Sequence, residues 1–144
     1  MPPAPHLART QAFCAIDFGT SNSAIALPDA QGRVDLVEVE PGQRTMPTAV
    51  FYTLEGTAPH EDPRRLYGRP ALAAYVEGHD GRLMRSMKSV LGSDLIEQAT
   101  DIGAGQAVRL ADVVAGYLAE LKRRAERVGG QGLDRVVLGR PVYF

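Results

Sequence analysis

A short polar segment, Asp17-Phe-Gly-Thr-Ser-Asn-Ser23, contains the residue types of this chain that suit a phosphorylated ligand. Gly19 allows a ligand to approach the backbone closely, so several N–H groups of such a loop can face phosphate oxygens. Thr20 and Ser21 add hydroxyl donors. Asp17 ends an apolar run, and its carboxylate suits contact with a magnesium ion through the water shell of that ion. These residues predict a phosphate-binding loop.

An ordinary hairpin with a polar turn explains the same segment equally well when the segment is considered alone. Small polar residues dominate turns of every kind, whatever the function of the protein. The apolar runs on both sides of the segment predict two strands under either interpretation. The choice between a binding loop and a plain turn therefore depends on the rest of the chain.

A three-stranded antiparallel meander is predicted to position this loop. Apolar residues from Ala12 to Phe18 form the first strand, 23–27 form the second, and 34–39 form the third after a turn at 28–32. Cys14 falls inside the first strand, which predicts a buried thiol rather than a reactive one.

The middle of the chain predicts further short elements with less regular patterns. A strand is expected over 46–52, with Pro47 at an edge or at the first residue, and a surface loop is expected over 55–65. Pro70 fits the first turn of a helix that runs through Val76. A second short helix is expected over 85–91, ended by Gly92. Residues 93–108 carry too weak a pattern for a prediction.

The strongest periodic signal in the chain is a helix from Leu110 to about Val128. Its apolar residues recur every three or four positions, which places them on one buried face, and Gly129-Gly130 ends it. A short buried strand over 135–139 follows, and Pro141 stops it. Strands and helices together predict a mixed α/β fold.

Length, composition and charge exclude several classes of protein. The 144 residues are 44% hydrophobic and 23% charged, which predicts one folded domain rather than a disordered chain. Sixteen basic and seventeen acidic residues give a net charge of −1, so no binding to nucleic acid or membrane is expected. One cysteine and three scattered histidines predict neither a disulfide framework nor a structural metal. Residues 1–10 are expected to be a flexible leader, and the protein is expected to be cytoplasmic.

The order of several motifs resembles the seventy-kilodalton heat-shock chaperones, the heat shock protein 70 family of the actin-like ATPase superfamily. The residues that carry this resemblance stand in the family's order and span roughly residues 12 to 144. They are Ala15-Ile-Asp-Phe-Gly-Thr-Ser-Asn-Ser-Ala-Ile-Ala26, Arg44-Thr-Met-Pro-Thr-Ala-Val50, Gly68-Arg-Pro-Ala71, Ser86-Met-Lys-Ser-Val-Leu-Gly92 and Val136-Val-Leu-Gly-Arg-Pro-Val-Tyr-Phe144. The first motif is moderately specific, and the ordered set is much more so.

The resemblance implies a fold, a ligand and a set of site residues. It implies the first lobe of an actin-like (ribonuclease H-like) ATPase domain over 11–144, whose ligands are ATP or ADP and magnesium. The implied roles are as follows: Asp17 lies near the metal; Gly19, Thr20, Ser21 and Asn22 face the phosphates; Lys88 is the catalytic lysine; and Pro141 relays nucleotide state to another domain. A lysine at the terminal phosphate is chemically reasonable, because hydrolysis places charge on phosphoryl oxygens.

The resemblance also implies partners that lie outside these residues. The family closes its nucleotide between two lobes, so this chain is expected to be a truncated, divergent bacterial-type relative that binds ATP weakly and hydrolyses it negligibly by itself. In a full-length parent ATPase, the second lobe, a peptide-binding domain, unfolded polypeptide clients and co-chaperones would be partners. Apolar surface left uncovered is expected to favour self-association. A small-molecule kinase of the same superfamily, or a non-catalytic interaction module, remains the alternative.

Overall fold

The computed structural model describes residues 12–59 and 61–139, which form ten strands and two α-helices. The leader predicted over 1–10 and the relay residue Pro141 lie outside the described residues. The strands are β1 Phe13–Asp17, β2 Asn22–Pro28, β3 Val34–Leu36, β4 Met46–Pro47, β5 Ala49–Thr53, β6 Arg65–Tyr67, β7 Gly81–Arg85, β8 Ala99–Gly103, β9 Gln106–Arg109 and β10 Arg135–Leu138. The helices are α1 Arg69–Val76 and α2 Leu110–Gly129.

The first sheet has the strand order β10-β1-β2-β3, with β4 paired to β2 outside this row. β1, β2 and β3 are antiparallel neighbours, which confirms the predicted meander, and β10 runs parallel to β1. The third strand is shorter than predicted. The Val37 N–H still donates to the Ile25 carbonyl at 2.9 Å, and the chain then closes a tight turn between Glu40 and Gln43. Val37 and Val39 are buried. The sheet is therefore mixed, as expected for an α/β lobe.

The strand predicted over 46–52 is divided between two sheets. Met46–Pro47 pairs with β2 in the first sheet, whereas Ala49–Thr53 is the central strand of a second sheet with the order β6-β5-β7. Thr48 lies between the two halves, and its backbone N–H donates to the Ser21 carbonyl at 3.0 Å. The chain passes from one sheet to the other beside the polar turn of residues 17–22. Both sheets consequently meet at the predicted loop.

The helix predicted over 85–91 is wrong. Residues 81–85 form β7, which pairs with β5 over five residues, and only Met87–Val90 form a single 3₁₀ turn. Ser86 separates the two with a left-handed backbone, φ 57°. An isolated helix of seven residues is marginal by itself, so the hydrogen bonds of the sheet outweigh the local preference.

A β-hairpin occupies part of 93–108, the segment whose pattern was too weak for a prediction. β8 and β9 pair antiparallel, with an irregularity in the register between Asp101 and Gly103. The hairpin leads directly into α2, whose first residue is Leu110. Its single fully buried residue, Ile102, joins the main core. One inward residue in nine explains why no alternating pattern was visible.

The two α-helices lie where the sequence predicts them. α1 carries Pro70 in its first turn, and α2 ends at Gly129, with Gly130 as a left-handed cap. The buried face of α2 packs on the first sheet through residues spaced by three or four positions. They are Val113, Val114, Tyr117, Leu121 and Ala125. This face supplies most of the helical contribution to the core.

Cys14 is fully buried in β1, which confirms the prediction of a core thiol. Burial raises the pKa of the Cys14 thiol, and the nearby Lys122 offsets this only in part. A thiol with a raised pKa is mostly protonated at neutral pH and is a poor nucleophile. Cys14 therefore contributes packing to the sheet.

β10 is the outermost strand of the first sheet in the described part of the chain. Its apolar side chains Val136, Val137 and Leu138 are all exposed, by 43 to 58%. An exposed apolar edge strand is a surface that other chains can contact, and the predicted self-association stays a prediction. No helix within 12–59 and 61–139 has the length and hydrophobicity needed to cross a bilayer.

Candidate functional site

The turn between β1 and β2 contains the predicted phosphate loop, and its geometry requires glycine at position 19. A Cβ atom built on Gly19 would lie 1.9 Å from the carbonyl oxygen of Asn22, well inside contact distance. The turn is therefore folded so tightly that its first and last residues touch. Thr20, Ser21 and Asn22 are exposed on this turn, as residues that contact a ligand must be.

Three hydrogen bonds, one buried and two partly buried, fix the turn from behind. The Gly19 N–H donates to Ser23 Oγ at 3.2 Å, and the Thr48 hydroxyl donates to the Gly19 carbonyl at 2.9 Å. Ser23 Oγ and Thr48 Oγ1 are themselves 2.8 Å apart and share a hydrogen bond. Both hydroxyl side chains are about 2% exposed, so these bonds are shielded from water. The loop is held rigidly by groups that face the core.

Tyr117 of α2 supports the same arrangement from the opposite side. Its hydroxyl donates to the carbonyl oxygens of Met46 and Pro47, at 3.1 and 3.0 Å. Its ring makes an edge-to-face contact with Phe18, with centroids 6.0 Å apart. Burial raises the pKa of Tyr117, so its hydroxyl stays protonated and remains a donor. α2 thus anchors β4, the strand that pairs with the end of the loop.

A cavity of about 250 Å³ opens in front of the loop, between the two sheets. Its polar wall combines hydroxyl groups and one guanidinium. The residues of this wall are Thr20, Ser21, Thr48, Arg85 and Ser86. Pro47, Ala49 and Leu72 complete the lining. No aspartate or glutamate is found among the described residues that line the cavity, so its charge is positive.

The segment that carries Lys88 reaches this cavity through Ser86. Ser86 directly follows β7 and lines the cavity. Its carbonyl accepts hydrogen bonds from the backbone N–H and the hydroxyl of Ser89, which close the 3₁₀ turn. Lys88 is half-buried on this turn, two residues beyond Ser86. Lys88 itself is outside the cavity lining. The structure therefore brings Thr20 and Ser21 together with Ser86, and puts Lys88 on the adjoining turn.

Asp17 lies at the carboxyl end of β1, exposed to solvent. Within the described residues, no group of three or more histidine, cysteine, aspartate or glutamate side chains is arranged to hold a metal ion. One exposed carboxylate beside the predicted phosphate loop is compatible with the predicted contact with magnesium through water, since direct binding needs more oxygen ligands. Phosphate oxygens would supply the further ligands.

The segment Gly68-Arg-Pro-Ala71 has a structural role beside the site. A Cβ on Gly68, which has φ 68°, would lie 2.5 Å from Met46 Cγ and 2.7 Å from Glu40 Oε2. The buried Glu40 carboxylate accepts hydrogen bonds from the Arg69 backbone N–H, at 2.9 Å, and from the Arg69 guanidinium. These contacts attach the start of α1 to the chain just before β4. They hold Leu72 of α1 against the cavity.

Sequence reasoning did not assign functions to Thr48, Tyr117, Arg85 or Ser86. Thr48 carried a visible signal, because it is the polar residue of an otherwise apolar run. Tyr117 looked like any other residue of the helical stripe. Arg85 and Ser86 were assigned to a helix, which hid their proximity to the loop. Their positions depend on the pairing of β7 with β5.

Comparison with characterised proteins agrees with the resemblance seen in the motifs. No protein-family model matches the chain. The chain is 27% identical over 135 residues to the chaperone protein DnaK of Halobacterium salinarum, a match that covers 94% of this chain. It is 30% and 29% identical over 129 residues to the DnaK proteins of Thermosipho melanesiensis and Thermotoga maritima, over 90% of this chain.

The chain spans about a fifth of the length of these relatives, 19% for Halobacterium salinarum and 20% for Thermosipho melanesiensis. The similarities support a relationship to the seventy-kilodalton heat-shock chaperones. The mixed sheets and two helices fit part of an actin-like ATPase lobe.

Proposed function

We propose that residues 11–144 form the first lobe of an ATPase domain in a divergent, cytoplasmic chaperone of the heat shock protein 70 type. In this proposal the 17–22 turn binds the phosphates of ATP or ADP, and Asp17 contacts magnesium through water. The observation that carries the proposal is the rigid turn itself, whose exposed hydroxyls line a cavity that has no acidic residue among its described lining residues. A plain hairpin turn has no need of this hydroxyl network behind it.

The residues present fit the phosphate groups of a nucleotide. Gly19 brings the backbone close to the ligand, and Thr20 and Ser21 offer hydroxyl donors from the exposed side of the turn. Asn22 closes the turn and adds an exposed amide. When bound, the magnesium ion would neutralise phosphate charge. Each of these protein groups positions the ligand without forming a covalent bond to it.

Lys88 supplies the catalytic cation in this proposal. A lysine at the terminal phosphate stabilises the charge that develops on phosphoryl oxygens during transfer to water. Its 3₁₀ turn begins directly after Ser86, which faces the same cavity as the loop. Movement of one short turn would therefore bring the amine towards the phosphates. Lys88 is half-buried, so its stem is already held by packing.

The whole protein would need further parts to complete the reaction. We infer that a second lobe closes over the nucleotide, and that a peptide-binding domain, unfolded clients and co-chaperones are partners of the full-length ATPase. The chain of 144 residues is then expected to bind nucleotide weakly and to hydrolyse it negligibly. The match to about a fifth of each DnaK relative supports this division.

Calorimetry and nuclear magnetic resonance (NMR) titration of the 144-residue chain test the proposal. With magnesium-ATP, we expect affinity weaker than micromolar and amide shifts centred on Gly19, Thr20 and Ser21. Shifts confined to other surfaces would overturn the nucleotide site, and micromolar or tighter binding would overturn the expected weakness of the single lobe. In the full-length parent, Lys88→Ala should abolish ATP hydrolysis, and unchanged hydrolysis would remove Lys88 from catalysis.

A further inference from the structure

We propose that Arg85 is an anion-binding residue of the cavity and contacts the phosphate groups of a polyphosphate ligand from the side opposite the loop. The proposal rests on the proposed function for its choice of ligand class. Arg85 had no function assigned to it from the sequence motifs. The proposal also makes β7 a part of the binding site rather than a connection to Lys88.

The position of Arg85 is fixed by the second sheet. Arg85 is the last residue of β7 and pairs with Ala49, the first residue of β5, directly after Thr48. Thr48 in turn is hydrogen-bonded to Gly19 and Ser23 of the turn between β1 and β2. Arg85 is therefore connected to the loop through two strand pairings and a buried hydroxyl. The backbone of Arg85 is therefore positioned beside Thr20 and Ser21 by strand pairing.

The guanidinium of Arg85 is available for a ligand. Its side chain is exposed, and nothing in 12–59 or 61–139 forms an ion pair or a hydrogen bond with its guanidinium. By contrast, Arg69, Arg109, Arg123 and Arg124 each pair with a carboxylate in this structure. An arginine without a partner in the described part of the chain, at a cavity whose described lining has no acidic residue, creates a local attraction for anions.

The hydroxyl groups around Arg85 identify the type of anion. Thr20, Ser21 and Ser86 bring three hydroxyl donors to the same cavity, whereas the Thr48 hydroxyl is engaged in the internal hydrogen bonds. A phosphoryl group presents three acceptor oxygens and matches the planar fork of a guanidinium. The apolar part of the lining, including Leu72, reduces local screening and strengthens such charged hydrogen bonds.

Backbone strain at Ser86 is a second, independent observation at this site. Ser86 has φ 57° and ψ 32°, the left-handed conformation that residues with a Cβ rarely adopt. Such strain persists where the surrounding structure enforces it, and it is concentrated at functional sites. Here it turns the chain sharply after Arg85, so that Arg85 and Ser86 both face the cavity while the 3₁₀ turn leads away.

Titration of the 144-residue chain with sodium tripolyphosphate, without magnesium, tests the proposal. Amide shifts at Thr20, Ser21 and Ser86 should report saturable binding. Arg85→Gln should weaken this binding by about tenfold, the loss expected for one charge-assisted pair. Arg85→Lys should have an intermediate effect, because it keeps the charge but loses the fork. Preserved spectra of the free variants show that they fold.

Arg82→Gln is the matched control. Arg82 is exposed on the same strand and is not part of the cavity lining. Its substitution by glutamine removes the same charge as Arg85→Gln. It should change the affinity by less than about twofold, as expected for a distant surface charge. Equal effects of Arg82→Gln and Arg85→Gln would overturn the proposal, and so would the absence of shifts at the cavity in the wild-type chain.

Magnesium-ATP, titrated into the same variants, separates this proposal from the proposed function. If the loop amides respond to magnesium-ATP equally in wild type and in Arg85→Gln, the nucleotide site stands and Arg85 is not part of it. If tripolyphosphate binding depends on Arg85 but magnesium-ATP leaves the loop amides unmoved, the anion site stands and the nucleotide function fails.

Discussion

The two walls of the cavity differ in the interactions that hold them. The loop wall, residues 17–23 with Thr48, is held by buried and partly buried hydrogen bonds between neutral groups. The β7 wall, Arg85 and Ser86, contributes a guanidinium that has no partner among the described residues and a residue in the left-handed region. Hydrogen bonds shielded from water make a wall rigid, whereas backbone strain raises the energy of a wall and a charge without a protein partner attracts anions. The difference predicts a fixed cradle opposite a wall that responds to the ligand.

Gly19→Ala should have the largest effect, because it breaks the rigid wall. The new Cβ would meet the Asn22 carbonyl at 1.9 Å, so the turn must be rebuilt. We expect a loss in the free energy of unfolding of at least about 2 kcal/mol, measured by urea denaturation. Gly132→Ala is the control, since its Cβ has open space and its backbone is ordinary. Similar stabilities of the two variants would contradict the tight turn.

Thr48→Val should have the next largest effect. It keeps the shape of the side chain but removes the hydroxyl between Ser23 and the Gly19 carbonyl. Leaving these buried groups without a partner should reduce stability by about 1 to 3 kcal/mol. Thr48→Ser keeps the hydroxyl and should recover part of the loss beyond what its missing methyl group costs. Equal destabilisation by both substitutions would show that packing, not hydrogen bonding, holds the loop.

Ser86→Gly should act in the opposite direction, because it removes strain from the responsive wall. Glycine adopts the left-handed region freely, so we expect the free energy of unfolding, measured by thermal or urea denaturation, to rise by up to about 1 kcal/mol. The same change at Ser89, inside the 3₁₀ turn, should destabilise the protein. A destabilised Ser86→Gly variant would mean that the serine side chain contributes more than its backbone conformation costs.

His79, which precedes β7 and lies outside the cavity lining, should give the smallest effect. Its Nδ1 lies 3.1 Å from Glu55 and its Nε2 lies 3.1 Å from Glu77, so a protonated ring can donate to both carboxylates. Hydrogen bonding to Glu55 and then to Glu77 raises the pKa of His79. The pKa of Glu55 is lowered, first by the Asp80 backbone N–H and then by His79.

The signs of these shifts define a pH window. A raised pKa of His79 stabilises the fold at low pH, and the contribution disappears as the pH rises through that pKa. The contribution of Glu55 disappears as the pH falls through its lowered pKa. NMR titration of the His79 ring should show a lower pKa in Glu55→Gln than in wild type. An unchanged ring pKa in that variant would exclude the Glu55 contact.

Much of the fold followed from local patterns in the sequence. The stripe on α2 predicted its length and its buried face, and Pro70 and Gly130 marked helix ends correctly. The meander was visible because each of its strands alternates or is fully apolar. β7 was missed and its last residue, Arg85, was assigned to a helix over 85–91, because the segment has no clear period and the extended conformation of β7 comes from pairing with β5. The β8–β9 hairpin was missed because it buries almost nothing.

The candidate site divides in the same way. The sequence by itself determined the polar turn, because glycine and small hydroxyl residues at positions 19–21 reflect steric and chemical needs that act between neighbours in the chain. Only the tertiary structure decided that Thr48, Tyr117 and Arg85 belong with that turn. Their placement results from strand pairing and helix packing between residues 25 to almost 100 positions apart. Such pairings depend on the free energy of the whole fold, which no local window of sequence contains.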